Sequence, residues 1–577
     1  MAKRSKSTKS AGDGGGQDPH GIAAPRELVV KVRKEAGFRI SLDSGPSAAS
    51  ADTIQLCEAL GDHGGEMQPL FGLTEERMAA KASVASMEAQ GAGLDPENTE
   101  METYYSVAAP EEQLENMCAS LLGQDELVDA AYVKPPSGVP VALAESDDDV
   151  INEMVAMPGD APSSTPNFTA RQIYLNAAPA GIDARYAWTM SGGRGQGVKI
   201  IDCEWGWTFN HEDLNQRTFG VVYGSNSSTL SFNNHGTAVL GEYSGDRNAH
   251  GVTGICSDAM AGASSFVGSP SARTIREAAD RLGRGDILLL EIHRGGPNAT
   301  GSGQFGYIAV EWWPDDFAAI RYAVNKGIIV VEAAGNGSQN LDASVYNTRP
   351  AGFPSSWRNP FNPANPSSNA VLVGAGAPPP GTHGRNHGPD RSRLGFSNYG
   401  KRVDAQGYGR EVTTTGYGDL QGGAQTLWYT DTFSGTSSAS PIVVGALGCV
   451  QGILKAQGST LLSSQSAINL LRSTGSPQQD ASGRPKTQRI GNRPDLKQMI
   501  PAAAKTWHRN VNVTRVFATY HSQNAWAAIS GLGYRKIKTG NTDGVTNTLK
   551  LLTEARAFGR KVDVYSDKNH IYQAVLR

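Results

Sequence analysis

The chain has 577 residues and a mass of 61.0 kDa, more than one core organises, so two to four domains are expected. A net charge of -4 and a pI near 6.3 give no electrostatic reason for nucleic acid or an acidic membrane as partner. No run of some twenty apolar residues marks a membrane span, and 68 glycines point to a loop-rich globular chain.

The first 25 residues, rich in Lys, Ser, Gly and Asp, read as a disordered basic tail. Basic residues near Met1 are followed by Gly and Asp, not by an apolar stretch, so no Sec-type signal peptide is expected. That favours a cytoplasmic chain or export by another route. The odd, widely spaced cysteines (Cys57, Cys118, Cys203, Cys256, Cys449) suggest neither a disulfide framework nor zinc.

Residues 26–135 predict a small α+β unit. A strand-like run starts at Glu27, Asp52–Leu60 reads as helix, and Thr103–Val107 as strand. Pro110-Glu111-Glu112 then opens a helix with apolar positions Leu114, Met117, Cys118 and Leu121. Gly123 ends it, and Leu127–Val133 returns as strand. Residues 136–168, with their prolines and the acidic run Glu145–Asp149, form a linker open to processing.

Across 169–503 short apolar runs alternate with helical patterns: Val198–Ile201, Ile287–Leu290, Ile328–Val331 and Val371–Val373. Almost purely apolar runs suit parallel strands covered on both faces. Pro314-Asp315-Asp316 begins a legible helix that Gly327 ends. The pattern predicts a doubly wound α/β sheet with chemistry at the carboxyl ends of its strands. Residues 505–577 read as a small β-rich accessory module with one helix over Asp543–Phe558.

Four positions then carry chemistry. Ser437, in Gly435-Thr436-Ser437-Ser438-Ala439-Ser440-Pro441, lies where an apolar helix begins and backbone N–H groups can hold an oxyanion. Asp202 ends a buried strand, suited to holding an imidazole in one tautomer. His235 starts an apolar helix, placed in its first turn, and Asn336 follows another buried strand as an oxyanion donor.

Together these residues, in the order acid, base, amide, nucleophile, resemble the subtilisin-like serine proteases, the subtilases. The resemblance spans roughly 169–503. It includes His235-Gly236-Thr237, Ala333-Ala334-Gly335-Asn336 and the Ser437 run, with secondary landmarks such as His211–Leu214 and Gly251–Ile255. It implies a serine endopeptidase acting through an acyl-enzyme, with Ser437 as nucleophile, His235 as base, Asp202 orienting it and Asn336 at the oxyanion. An intact His235 argues against the sedolisin relatives, which use a glutamate base. The substrate-binding walls implied are Glu291, Ile292, Ala333, Ala334 and Gly335. Glu291 stands where the family has a serine, and Glu332 precedes the opposite wall. They are expected either to pair near the pocket or to be satisfied by backbone N–H groups or Arg294.

The resemblance also makes the unit before the linker an inhibitory prodomain, and the chain a zymogen that cuts itself between Lys134 and Thr169. It implies protein or peptide substrates, no required cofactor, and structural calcium that cannot be mapped. No metal site is expected, and His383 and His387 read as part of a solvated loop. The aromatic residues Tyr520, Trp526, Tyr534, Tyr565 and Tyr572 mark the last module as a carbohydrate or protein binder, or as purely structural. The competing functions are an idle peptide-binding scaffold and an esterase or peptide ligase with the same triad.

Overall fold

The computed structural model describes residues 25–577 except 42–44, 48–55, 57, 59, 92–98, 141–161, 302, 522 and 541. The tail, most of the Asp52–Leu60 helix and much of the linker therefore fall outside the described residues.

Four strands, β1 (Glu27–Val32), β2 (Glu66–Pro69), β3 (Tyr104–Ala108) and β4 (Val128–Lys134), form an antiparallel sheet in the order β2-β3-β1-β4. Its two faces serve different partners because side chains alternate along a strand. Leu28, Val30 and Ala131 pack on helix α2 (Leu114–Leu122) through Met117 and Leu121. Val29, Ala130 and Tyr132 face the rest of the protein and join a core with Ile275, Trp312 and Phe353. Helix α1 (Glu75–Gly91), an Ala-rich segment with weak periodicity, also packs on that side.

After β5 (Ser137–Gly138), the central sheet is built from seven parallel strands. They are β6 (Lys199–Glu204), β7 (Thr218–Tyr223), β8 (Met260–Ser265), β9 (Ile287–Leu290), β12 (Ile329–Ala333), β13 (Val371–Gly376) and β14 (Ala405–Tyr408). The order is β14-β13-β12-β9-β6-β8-β7. Two short strands, β10 (His293–Gly295) and β11 (Tyr307–Ala309), lie between β9 and β12 in the chain and pair with each other. The doubly wound α/β reading is therefore correct.

Helices α3 (Leu230–Ser244) and α6 (Thr436–Gln457) cover one face with Ile200, Leu289 and Val331 beneath them. Helices α4 (Ser271–Arg281) and α5 (Pro314–Asn325) cover the other with Ile201, Leu288 and Val330. Helix α6 is long and apolar enough to cross a membrane but is wholly buried at the centre of the fold, which is why it is hydrophobic all round.

The C-terminal segment forms a closed barrel of β15 (Thr506–Ala518), β16 (Ala525–Ile529), β17 (Gly533–Ile537), β18 (Lys561–Ser566) and β19 (His570–Leu576). Helix α7 (Thr542–Ala557) connects β17 to β18. The sequence reading missed β17, whose Gly-Tyr-Arg-Lys-Ile has only one inward apolar residue, Ile537.

Candidate active site

Strand parity decides which groups meet. In β6, Ile200 belongs to the core beneath α3 and α6, whereas Ile201 and Cys203 belong to the opposite core. Asp202 and Glu204 share the face of Ile200 by the two-residue period. On the neighbouring strand Leu289 stands opposite Asp202, and Glu291, just beyond β9, donates its N–H to the Cys203 carbonyl (3.2 Å). Three carboxylates thus line one face at the carboxyl end of two adjacent strands, all fully buried.

His235 reaches this row from α3, in the second turn, because the polar run before it is already helical; the expected first-turn placement is corrected. Its Nδ1 lies 2.7 Å from Glu204 Oε2. Asp202, expected to make that bond, does not make it: its Oδ2 accepts from the Trp207 indole Nε1 at 2.8 Å. The reason is reach. Glu204 is one pleat further toward the strand end and one methylene longer.

Asp202 Oδ1 and Glu204 Oε1 have no partner among the described residues. Burial pushes both groups up. The neighbouring Glu204 raises Asp202 further, and the nearby Glu291 raises Glu204. Burial drives His235 down to about 4, which keeps it a neutral imidazole, and its Nε2 has no partner.

Ser437 stands in the first turn of α6, two residues after Gly435, whose φ of +113° suits a residue without Cβ. Its hydroxyl donates to the Pro140 carbonyl at 2.9 Å. Asn336 is anchored by its amide oxygen, which accepts from Thr436 N (3.0 Å) and Oγ1 (2.9 Å). That leaves its Nδ2 as the free end, now bonded to Gln304 Oε1 at 3.2 Å, while Gln304 Nε2 donates to the Val139 carbonyl at 3.1 Å. Asn336 is thus bonded to Thr436, next to Ser437, and His235 to Glu204, two residues after Asp202, while no bond joins His235 to Ser437 among the described residues.

The segment 137–140 lies in this site, entering it through β5. In β5, Gly138 pairs with His293 and Ser137 with Arg294, antiparallel to β10. A buried ion network ties its root to the main domain. Lys134 Nζ meets Asp315 (2.6 Å) and Asp316 (2.8 Å), and Arg294 meets Glu27 (2.6 Å). Against the burial that raises it, Lys134 and Arg294 hold the Glu27 carboxyl down at about 2.

The expected walls fare unevenly. Ala334 and Ile292 are core residues on the α4–α5 side, and Ala333 is fully buried. Gly335, at φ +92°, accepts from Asn398 N (3.1 Å). Glu291 lies against the start of α6, where it accepts from the Ser440 hydroxyl and interacts with the Ser437 hydroxyl. Glu332 lies on the opposite sheet face, accepting from Glu311 N (3.0 Å) beside Arg402. The two glutamates thus form no pair, and Arg294 serves neither. His383 and His387 are not solvated either; His387 Nε2 meets Glu411 at 2.9 Å and His383 is nearly buried. Among the described residues no group of three or more His, Cys, Asp or Glu side chains is placed to hold a metal ion.

The sequence reading missed Glu204 and Gln304. His293 Nδ1 accepts the Asn336 N–H (3.4 Å), and burial beside His235 lowers it to about 3. Glu204 had a usable signal, its shared parity with Asp202.

Residues 193–474 match the sequence model of the Subtilase family. Over that stretch the chain is subtilisin-like. It is 25% identical over 311 residues to an intracellular serine protease of Paenibacillus polymyxa, covering 49% of this chain and 75% of that one. A thermophilic serine proteinase of Bacillus sp. (strain AK1) is 28% identical over 318 residues, or 53% of this chain and 63% of that one. An alkaline proteinase of Hapsidospora chrysogena is 27% identical over 307 residues, or 52% and 62%. The chain thus spans under two thirds of the length of two of these relatives. The matched family and these relatives support serine-peptidase chemistry, with proteins or peptides as substrates.

Proposed function

We propose that the chain is a serine endopeptidase made as a self-inhibited zymogen, with Ser437 as nucleophile, His235 as base and Glu204 as the carboxylate that orients it. The observation that carries this reading is the Ser437 hydroxyl bonded to the Pro140 carbonyl, two residues beyond β5, which pairs along β10.

The steps follow from the positions. Ser437 Oγ attacks the substrate carbonyl carbon while His235 Nε2 takes its proton, giving an acyl-enzyme; His235 returns the proton to the leaving amine, and water then releases the acyl group. Glu204 accepts the Nδ1–H and stabilises the imidazolium. Asp202 stays protonated and braces Glu204. Asn336 Nδ2 and the Ser437 N–H, at the amino end of α6, stabilise the oxyanion. These side chains suffice without a cofactor. The segment through Pro140 is the first substrate, and the unit from Glu27 to Lys134 then remains as intramolecular inhibitor, held by the Lys134 and Arg294 ion pairs.

A fluorophosphonate probe labels the processed wild-type protein at Ser437, and the same preparation cleaves casein faster than a simple ester. Absence of label supports the idle scaffold; ester turnover without casein cleavage supports an esterase. Asn336→Ala lowers kcat by about 10²- to 10³-fold with little change in KM, the loss known for this donor in subtilisin. Normal turnover in that variant removes Asn336 from the oxyanion site.

A further inference from the structure

The C-terminal barrel has its own charge. Between residues 505 and 577 there are twelve Lys and Arg against four Asp and Glu, although the whole chain is net acidic. Two of the four acids are consumed internally: Asp563 holds Arg577, and Asp567 accepts from the Tyr572 hydroxyl (2.6 Å) and two backbone N–H groups. The chain-wide charge that argued against an anionic polymer is an average over unlike parts.

The barrel's connectivity is specific. Its strand order is β15-β16-β17-β19-β18, closed by β15 against β18, with β17 parallel to β19 and one helix between β17 and β18. That is the arrangement of an oligonucleotide/oligosaccharide-binding barrel, whose second and third strands present the ligand face.

On those strands Ala525, Ala527, Ile529 and Ile537 point into the core, so Trp526 and Lys536 point out. Register places Phe517 opposite Trp526 and Trp526 opposite Lys536, while the adjoining row runs Arg515, Ala528, Tyr534. Phe517 is 52% and Tyr534 49% exposed, which large aromatic rings rarely are without a use. Lys536 Nζ sits 5.9 Å from the Trp526 ring centre. Neither Arg515, Lys536 nor Lys538 forms an ion pair with a described residue.

We propose that the outer face of β15, β16 and β17 binds single-stranded nucleic acid. Bases stack on Phe517, Trp526 and Tyr534, and phosphates meet Arg515, Lys536 and Lys538. A neutral oligosaccharide would use the rings without the excess of cations, and a sulfated one the cations without the rings. Rings alternating with cations on one strand face suit a ligand that has both flat bases and regular charge.

The test uses the full-length Ser437→Ala protein and fluorescence anisotropy with labelled oligo-dT and oligo-U of ~15 nucleotides, the upper site size for one such barrel. Binding that weakens steeply with salt is expected. The double variant Phe517→Ala/Trp526→Ala loses at least about tenfold in affinity at an unchanged melting temperature. Arg515→Glu/Lys536→Glu, confined to polar surface side chains, loses affinity and flattens the salt dependence. No binding at low salt, full binding by both double variants, or equal binding of a duplex overturns the proposal. So does a heparin-derived oligosaccharide that competes more tightly through the same residues.

Discussion

Glu204→Gln lowers kcat by ~10³- to 10⁴-fold with KM nearly unchanged, whereas Asp202→Asn stays within about tenfold of wild type. The glutamine amide presents a donor to His235 Nδ1, which stabilises the tautomer that carries its proton on Nε2, the nitrogen that must accept from Ser437. In Asp202→Asn the new Nδ2 replaces the carboxylic O–H as donor to Glu204, while the amide oxygen still accepts the Trp207 indole bonded at 2.8 Å. Peptide hydrolysis by the two purified variants, with active sites titrated, measures the difference. Equal losses would return Asp202 to the role of imidazole partner.

The second large effect is on processing. The Ser437→Ala protein stays at full length, and the wild-type protein acquires a new N-terminus at Val141. The hydroxyl that would attack is bonded to the carbonyl oxygen of Pro140, so the bond after Pro140 is the one presented. Mass spectrometry of both proteins reads this directly. Processing of Ser437→Ala in purified form would mean that another protease cuts the linker. A wild-type N-terminus elsewhere would mean that the segment seen in the site is not the one first cleaved.

Much of the fold was legible because its signals are local. Buried parallel strands such as Ile287–Leu290 announce themselves as unbroken apolar runs, and α5 begins at Pro314 with acids in its first turn, as its caps predict. Helix α1 was not legible: its alanine-rich sequence has no clear apolar stripe, and it is helical because it packs on α5. Strand β17 was missed because a strand in a small barrel needs only one buried side chain, here Ile537.

The site was legible in its residue types but not in its wiring. Ser437 and Asn336 each sit at an element end that sequence can locate, whereas His235 lies a turn inside its helix. Whether Asp202 or Glu204 meets His235 depends on an ångström-scale match between strand register and helix position, which parity alone cannot decide. The glutamates were misjudged for a related reason. Glu291 and Glu332 both follow apolar runs, yet the first is in phase with Leu289 and the second with Val330, so the sheet separates them. The barrel's cations were hidden by averaging charge over 577 residues.

The bond between His235 Nδ1 and its carboxylate gives a strongly deshielded proton that NMR can follow in the inactive Ser437→Ala background. The arrangement described here predicts that this resonance survives Asp202→Asn and disappears in Glu204→Gln. Its loss in Asp202→Asn, with survival in Glu204→Gln, would contradict the assignment of Glu204 as the partner of His235.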